Sequence, residues 1–149
     1  MLKFSLQTKI NSTIDLVWKQ FDKDLLEKLS PPFPLIRIST FDGCNVNDNV
    51  VIEMNFLLYK TSWSSLIIEN QTSESEKYFI DQGIKMPFGL KYWKHKHGLK
   101  MINDHQTAII DSIEFQTNYR ILDYILFPLF YGMILYRIPL YKKLLSTKQ

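Results

Sequence analysis

Cysteine and glycine are scarce in this chain of 149 residues, which has one cysteine, Cys44, and five glycines. A single cysteine cannot form an intramolecular disulfide and cannot build a cysteine-based zinc site. The glycines form neither a phosphate-binding loop nor the turn that binds dinucleotides, and no nucleophile elbow is present. With no activated serine or cysteine either, the sequence offers no candidate for covalent catalysis.

Arginine is also scarce, since only three of the 18 cationic residues are arginine and the net charge is +3. Arginine is the side chain best suited to reading phosphates and bases. The densest cationic stretch, residues 91–100, places its lysines on the outer face of a predicted strand, with no aromatic platform beyond Tyr92 for stacking bases. This pattern is typical of a solvated face, and we expect no nucleic-acid partner.

We predict that no hydrophobic run of this chain spans a membrane. The best candidate, residues 121–136, is shorter than the roughly 20 residues that a span needs, and it contains Asp123, Pro128 and Gly132. The amino-terminal segment alternates polar and apolar residues and lacks the apolar core of a signal peptide. With 46% hydrophobic and 22% charged residues, the composition is typical of a soluble domain. We therefore predict one cytoplasmic domain over residues 1–149, without a membrane span.

Aromatic residues, by contrast, are abundant. They make up 14% of the chain, with ten phenylalanines and eight tyrosines. Such an excess can line a cavity that holds an apolar ligand, but large rings equally fill an ordinary core. The composition leaves both interpretations open.

The hydrophobic periodicity predicts an α+β fold. An amino-terminal strand is followed by two short helices, the first capped at Asn11-Ser12. About six consecutive strands come next, with a tight connection predicted at Lys60–Ser62. The apolar segment Ile121–Leu145 predicts one long helix, in which Pro128 lies in the first turn or causes a kink, and which Pro139 bends or ends. This order indicates an antiparallel sheet of six to seven strands folded around the long helix.

The stretch from Trp93 to His97 carries the strongest functional signal. Trp93, His95 and His97 share one parity with the aliphatic residues that follow, whereas lysines occupy the other parity. Period-two alternation is typical of a strand with one solvated and one sheltered face. Both histidines therefore point to the sheltered face, where an imidazole needs a polar partner.

A turn at Asn103–His105 determines which residues face these histidines from the next strand. A two-residue turn would place His97 opposite Ile110, and a three-residue turn would place it opposite Asp111. Only the second register buries the apolar residues of the next strand, so the burial pattern favours it. The sequence thus predicts a cross-strand pair of His97 and Asp111, close enough for the carboxylate to hold the imidazole in one tautomer.

Two further acids are candidates for the same sheltered face. Phe79 and Asp81 have one parity on their strand, and Trp63 and Glu69 share a parity on theirs. On both strands the alternate residues also include aliphatic side chains, so the sequence does not decide which of the two faces points towards the core. If both acids point inward, five polar residues share the cavity: Glu69, Asp81, His95, His97 and Asp111.

Three interpretations of this polar cluster remain open. The side chains can satisfy one another and fix the sheet. They can instead orient a mostly apolar ligand in a pocket. Two histidines at positions i and i+2 of a strand can also bind zinc together with a carboxylate. A third metal ligand is not evident from the sequence, and we predict no metal and no other cofactor.

Several short motifs, in their order along the chain, resemble those of a known family. They are Pro31-Pro32-Phe33 after the second helix, Trp63 at the start of a middle strand, Phe79-x-Asp81, Met86-Pro87-Phe88 in place of the family's Gly-Pro-Phe, Trp93-x-His95-x-His97, Asp111 and Arg137. Together with the order of elements, they make the chain similar to the START-like (SRPBCC) superfamily, and within it to a bacterial ligand-binding branch that resembles polyketide cyclases and dehydrases. The resemblance covers essentially the whole chain and implies the helix-grip fold.

The resemblance also implies a cavity between the curved sheet and the long helix. Its expected ligand is a small hydrophobic molecule, lipid-, sterol- or polyketide-like. The helix would contribute apolar residues to the wall: Leu126, Leu129, Phe130, Met133 and Leu140. The expected ligand-binding residues are Trp63, Glu69, Phe79, Asp81, Trp93, His95, His97, Asp111, Met133 and Arg137.

Two other functions remain as alternatives to ligand binding or carriage. An enzyme of the cyclase or dehydratase type would use His97 and Asp111 as an acid–base pair. An interaction module similar to the co-chaperones of the same superfamily would show a large exposed apolar patch and a filled cavity. For each of these functions we expect a monomer or a weak dimer.

Overall fold

The computed structural model describes residues 1–147, which contain seven strands and three helices. In chain order these are β1 (Leu2–Ile10), α1 (Ile14–Lys19), α2 (Lys23–Lys28), β2 (Leu35–Phe41), β3 (Asn49–Asn55), β4 (Lys60–Thr72), β5 (Glu76–Lys85), β6 (Leu90–Asn103), β7 (Gln106–Thr117) and α3 (Arg120–Leu145). The last two residues of the predicted domain, Lys148 and Gln149, lie outside the described residues.

The seven strands form one antiparallel sheet in the order β1-β7-β6-β5-β4-β3-β2. Each strand from β2 to β6 pairs with the next strand along the chain, and β1 pairs with β7. α3 packs mainly against β1 and β7, and the other strands curve around the space beside it. The predicted α+β helix-grip fold is confirmed, with its six to seven strands and its two short helices after the first strand.

Two clusters of buried apolar residues hold the helices against the sheet. One cluster joins α1, α2 and the end of α3 to the sheet and includes Leu99 of β6. The other joins the first half of α3 to the sheet and includes Trp93 of β6. His95 and His97 lie between these two positions on β6. The polar residues of the sheltered face are therefore flanked by apolar core on both sides.

α3 is long and apolar enough, by length and composition, to cross a membrane. Its seven buried residues nevertheless include Asp123 and Arg137. The Asp123 carboxylate accepts hydrogen bonds from the Thr117 backbone amide at 2.6 Å and from the Thr117 hydroxyl at 2.7 Å. These bonds tie the first turn of α3 to the end of β7, as expected of the core helix of this fold.

The first and last helices, α1 and α3, differ slightly from their predicted boundaries. α1 is capped by Thr13, whose hydroxyl accepts a hydrogen bond from a backbone amide of the first turn, and not by Asn11-Ser12. Pro128 and Pro139 both lie inside α3. Pro139 therefore does not end the helix, because the last turns remain packed against the sheet through Tyr141 and Leu145.

The turn between β3 and β4 also lies earlier than predicted. It occupies residues 56–59, where the Phe56 amide donates to the Tyr59 carbonyl, and Lys60–Ser62 already belong to β4. Leu57 adopts a left-handed backbone conformation, with φ of 74°. A non-glycine residue with positive φ is uncommon, so a turn at these positions was not evident from the sequence.

Candidate functional site

β6 places His95 and His97 on the face of the sheet that is turned towards α3. His97 lies opposite Asp111 of β7, as predicted. The turn that sets this register is shorter than predicted, because only two residues separate the last paired positions of β6 and β7. A bulge at Ile102 supplies the additional residue, so that the predicted register is kept by a different local structure.

The two histidines are held by two carboxylates in a crossed arrangement. His95 Nε2 bonds to Asp111 Oδ1 at 2.8 Å, and His97 Nε2 bonds to Asp81 Oδ2 at 2.9 Å. The predicted cross-strand pair of His97 and Asp111 is formed, with 3.6 Å between His97 Nδ1 and Asp111 Oδ1, but the hydrogen bond that holds the His97 ring is formed with Asp81 and not with Asp111. The His97 ring stacks on Phe79, the residue opposite it on β5. The His97 ring is therefore tilted along the strand towards the Asp81 carboxylate, which lies diagonally across from it on β5.

Burial and hydrogen bonding set the protonation of this cluster. Burial lowers the pKa of His95, and His97 lowers it further, against the raising effect of both carboxylates. Burial alone would raise the pKa of Asp111, but the hydrogen bond from His95 and the neighbouring positive charges hold it below its ordinary range. The pKa of Asp81 is lowered in the same way, chiefly by its bond to His97. At neutral pH the cluster therefore contains two ionised carboxylates and a neutral His95.

Acidification is expected to destabilise the protein in two steps. Folding lowers the pKa of His95 below its ordinary 6.5, so protons bind the unfolded chain first, and stability falls as the pH drops below that value. The lowered pKa values of Asp81 and Asp111 act in the same direction, and a second loss begins below their ordinary 3.8. Urea unfolding at a series of pH values measures both steps. Constant stability from neutral pH down to a pH of about 4 would contradict the first step.

A cavity of about 580 Å³ lies between the sheet, α2 and α3. Most of the residues on its wall are apolar. Eight of the ten predicted ligand-binding residues line it: Trp63, Phe79, Asp81, Trp93, His95, His97, Met133 and Arg137. Asp111 is buried behind His95 and does not reach the wall. Asp111 therefore positions His95 and does not contact the interior of the cavity.

Glu69 is exposed, so its predicted place in the cavity is wrong. β4 has a bulge between Ile67 and Glu69 where it pairs with β5. The additional residue, Ile68, shifts the parity of the positions that follow. Ile67 is buried, whereas Glu69 accepts a hydrogen bond from the Tyr78 hydroxyl outside the cavity.

Only part of the expected α3 wall faces the cavity. Leu129, Phe130 and Met133 line it, but Leu126 and Leu140 do not. Leu126 packs into the cluster around Trp93 and Leu140 against the cluster around Leu99. The cavity-facing stripe of α3 is therefore narrower than the apolar periodicity of the helix indicates.

Three aromatic residues from separate segments of the chain pack together on the wall of the cavity. Phe56 makes edge-to-face contacts with Phe33 at 5.8 Å and with Phe88 at 5.9 Å between ring centroids. All three rings line the cavity, and Phe33 is exposed. Leu57 and Leu58, which follow Phe56 in the chain, are exposed as well, and so is Leu129 of α3, which also lines the cavity. The cavity wall reaches the surface where Phe33 and Leu129 are exposed, and this opening, the mouth, is bordered by apolar side chains.

Two polar atoms of cavity-lining residues are themselves almost inaccessible and form no hydrogen bond of ordinary geometry within residues 1–147. They are Nε of Arg137 and the hydroxyl of Tyr141. Tyr141 was not among the predicted site residues, although its position one helical turn after Arg137 is a signal for a shared face. Burial raises the pKa of Tyr141, so its hydroxyl stays protonated and can donate a hydrogen bond.

Asp81, His95 and His97 offer three donor atoms within 4.8 Å of one another, an arrangement that a metal ion could share. Each histidine already bonds a carboxylate through Nε2. A metal ion would have to displace the proton between His97 and Asp81, because metal ligands bind in their deprotonated form. The expectation of no metal and no other cofactor stays a prediction.

No protein-family model matches the chain, and no curated protein sequence matches it significantly. Solved structures are similar in three dimensions. The norcoclaurine synthase of Thalictrum flavum, a point mutant in complex with a transition-state analogue, has a TM-score of 0.70 and 17% identity, over 97% of this chain and 93% of that chain. The ZhuI aromatase/cyclase of Streptomyces sp. R1128 has a TM-score of 0.71 and 10% identity, over 93% of this chain and 89% of that chain.

A third similar structure is Ara h 8.0201, with a TM-score of 0.62 and 13% identity, over 93% of this chain and 96% of that chain. Identities this low establish the fold alone. The three structures share the helix-grip fold of the START-like superfamily, and this chain has that fold as well. The resemblance inferred from the order of short motifs is thereby confirmed at the level of the fold.

Proposed function

We propose that this helix-grip protein binds or carries a small hydrophobic molecule with one polar end. The observation that carries the proposal is the cavity of about 580 Å³, whose wall is mostly apolar and holds few charged side chains. Ligand sites commonly combine an apolar wall with a small number of polar groups that fix the orientation of the ligand. Here those groups belong to the cluster of Asp81, His95 and His97 and to Arg137.

The structural neighbours support the same proposal. A norcoclaurine synthase of this fold has been solved in complex with dopamine and hydroxybenzaldehyde, with a TM-score of 0.63 and 17% identity to this chain. Small aromatic molecules can therefore be accommodated by a helix-grip protein. We keep lipid-, sterol- and polyketide-like molecules as the candidate ligands, with a monomer or weak dimer in the cytoplasm as the expected setting.

Native mass spectrometry of gently purified protein, compared with the mass after denaturation, tests the proposal. We expect a bound molecule that leaves on denaturation, because a cavity lined by apolar side chains retains apolar guests. Protein purified empty should take up a guest from a mixture of fatty acids, sterols and aromatic polyketides. A bare mass after all these incubations would contradict the proposal, and a zinc-sized increment would support the metal interpretation instead.

An enzyme of the cyclase or dehydratase type is the second candidate, and one observation favours it. The hydrogen-bonded pair of His97 and Asp81 lies on the cavity wall, where it can move a proton to or from a bound ligand. This pair takes the place of the predicted pair of His97 and Asp111. A turnover whose bell-shaped pH dependence is lost in His97→Gln and kept in His105→Gln would establish it, since His105 is exposed in the β6–β7 turn.

The interaction-module alternative is not supported by the cavity. That alternative requires side chains to fill the space between the sheet and α3. The large rings named above lie around the cavity and leave its volume open. The exposed apolar residues near the mouth are explained equally well as the entrance for an apolar ligand.

A further inference from the structure

The antiparallel pairing of the strands gathers one set of loops at one end of the sheet. β2, β4 and β6 begin at this end, and β3, β5 and β7 finish there. α3 also begins here, because it follows β7 directly. We name this region the mouth end and define it by residues 31–37, 53–62, 84–92 and 118–129. The mouth of the cavity lies within it, since Phe33 and Leu129 belong to these segments.

Contacts between the segments make the mouth end one surface. The Phe56 ring, which follows β3, lies 5.9 Å from the Phe88 ring, which precedes β6. The Asn118 amide donates a hydrogen bond to the Gly89 carbonyl at 3.1 Å and so ties the β5–β6 loop to the start of α3. The exposed side chains of these loops are therefore presented together.

Apolar side chains are exposed on several loops of the mouth end. In the turn between β3 and β4, Leu58 is fully exposed and Leu57 is 72% exposed. Six further apolar or aromatic side chains of the same segments are exposed: Tyr59, Ile84, Tyr119, Ile121, Tyr124 and Ile125. Clustered exposure of this kind marks a site that contacts another protein or a membrane.

The exposed charges of the mouth end are mostly cationic. They comprise one acid, Glu53, and five basic residues: Arg37, Lys60, Lys85, Lys91 and Arg120. None of the five basic side chains takes part in a salt bridge within residues 1–147. The other acid of these segments, Asp123, is buried and bonded to Thr117. This end of the protein therefore presents positive charge that its own side chains leave uncompensated.

The acids of the loops lie at the opposite end of the sheet. There the turns that join the strands, and the positions beside them, carry five carboxylates: Asp42, Asp48, Glu74, Glu76 and Asp104. The net charge of +3 thus understates how basic the mouth end is. A negatively charged surface would attract the protein with its mouth end foremost.

From this arrangement we propose that the mouth end docks on an anionic lipid bilayer. The Leu57-Leu58 turn enters the boundary between headgroups and acyl chains, the exposed tyrosines lie at the level of the headgroups, and the basic side chains contact the lipid phosphates. The inference goes beyond the proposed binding of a ligand, because it names the surface at which an apolar ligand enters or leaves the cavity.

A bilayer fits these features better than a second copy of the chain. A symmetric contact between two mouth ends would place the five basic residues of one copy against those of the other, and like charges repel. Apolar side chains on separate loops also match a fluid acyl layer, which adapts to them, whereas a protein partner needs a complementary shape for each.

Co-sedimentation of the natural chain with lipid vesicles tests the proposal. One set of vesicles contains phosphatidylcholine alone, and the other contains about 30% phosphatidylserine in addition. We expect at least about tenfold higher affinity for the anionic vesicles, because each basic side chain near the surface adds attraction, and we expect high salt to reduce the difference. Equal affinity for both sets, or binding to neither, would overturn the proposal.

Two double variants test the parts of the surface separately. Lys60→Gln/Lys85→Gln should lower the affinity for anionic vesicles by about tenfold or more through the loss of two charges. Leu57→Ser/Leu58→Ser should lower it by about tenfold through the loss of apolar contact with the acyl chains. All four side chains are exposed, so urea unfolding should show little change in stability.

Matched controls lie at the opposite end of the sheet. Lys100→Gln/Lys142→Gln removes the same charge from two exposed lysines that form no salt bridge within residues 1–147, and Ile102→Ser removes an exposed apolar side chain. Both controls should bind anionic vesicles like the natural chain. An equal loss in the lysine control would show that net charge alone drives binding and would overturn the proposal.

Two further measurements separate docking from other functions of this surface and of the cavity. A dimer of the natural chain that dissociates in Leu57→Ser/Leu58→Ser, without vesicle binding, would assign the mouth end to a second copy and overturn the proposal. Native mass spectrometry in the absence of vesicles should show the same bound guest in the natural chain and in both double variants, because none of the four side chains lines the cavity. A retained guest without vesicle binding would refute docking alone and leave the proposed ligand binding intact.

Discussion

Replacing Asp111 by alanine is expected to lower the free energy of unfolding by about 3–5 kcal/mol, a large share of the stability of a small domain. The substitution removes the carboxylate that accepts a hydrogen bond from His95 at 2.8 Å and whose charge acts together with that of Arg137. His95 and Arg137 are both buried, so water cannot readily take the place of the lost carboxylate. Urea unfolding at neutral pH measures the loss.

Asp81→Ala is the matched comparison on the cavity side of the cluster. Asp81 also bonds one histidine, at 2.9 Å, but 13% of its side chain and 12% of that of His97 are exposed. Water in the cavity can therefore replace part of the lost bond, and we expect a loss of about 1–2 kcal/mol. Adding Arg137→Met to Asp111→Ala should recover some stability, because the unpaired charge is removed. Equal losses for the two aspartates would contradict the distinct roles assigned to them.

The sequence could predict the fold and the pairing of the strands because both follow from burial. The alternation of lysines with Trp93, His95 and His97 determines which face of β6 is sheltered. The apolar residues of β7 then allow only one register, which places His97 opposite Asp111. That result held although the turn was assigned one residue too many, since the bulge at Ile102 compensates for the difference.

The crossed hydrogen bonds could not be predicted in the same way. Parity gives the face on which a side chain lies but not the direction in which it leans along the strand. His97 stacks on Phe79 and reaches the diagonal Asp81, which leaves Asp111 to His95. The bulge beside Glu69 escaped prediction for a related reason, because Ile67 and Ile68 are both apolar and parity alone does not choose between them.

The cavity depends on features that extend over several elements. Its volume follows from the curvature of the sheet and from the contact of α3 mainly with β1 and β7, neither of which is encoded in a short motif. Sequence patterns gave the candidate residues, and the packing around them gave the chemistry.

Filling the cavity from α3 is expected to abolish ligand binding without unfolding the protein. Gly132 lines the cavity, and a Cβ atom at this position would meet no other atom within 4 Å. Gly132 is itself exposed, so the ring of Gly132→Phe has room to lie across the opening of the cavity, where it would obstruct the ligand. We expect the affinity for Nile red, a neutral apolar dye, to fall by more than about tenfold, as measured by a fluorescence titration. The free energy of unfolding should stay the same or rise, because glycine within a helix is unfavourable by about 1 kcal/mol relative to alanine.

Two variants separate the loss of space from other effects of this substitution. Gly132→Ala should raise the free energy of unfolding by about 0.5–1 kcal/mol and keep ligand binding, because a methyl group occupies little of the cavity. Leu135→Phe places the same ring on an exposed position of α3 that does not line the cavity, and it should also keep binding. If Gly132→Phe binds like the natural chain, the apolar ligand occupies some other surface. If Gly132→Phe alone lowers the affinity, the ligand lies between the sheet and α3.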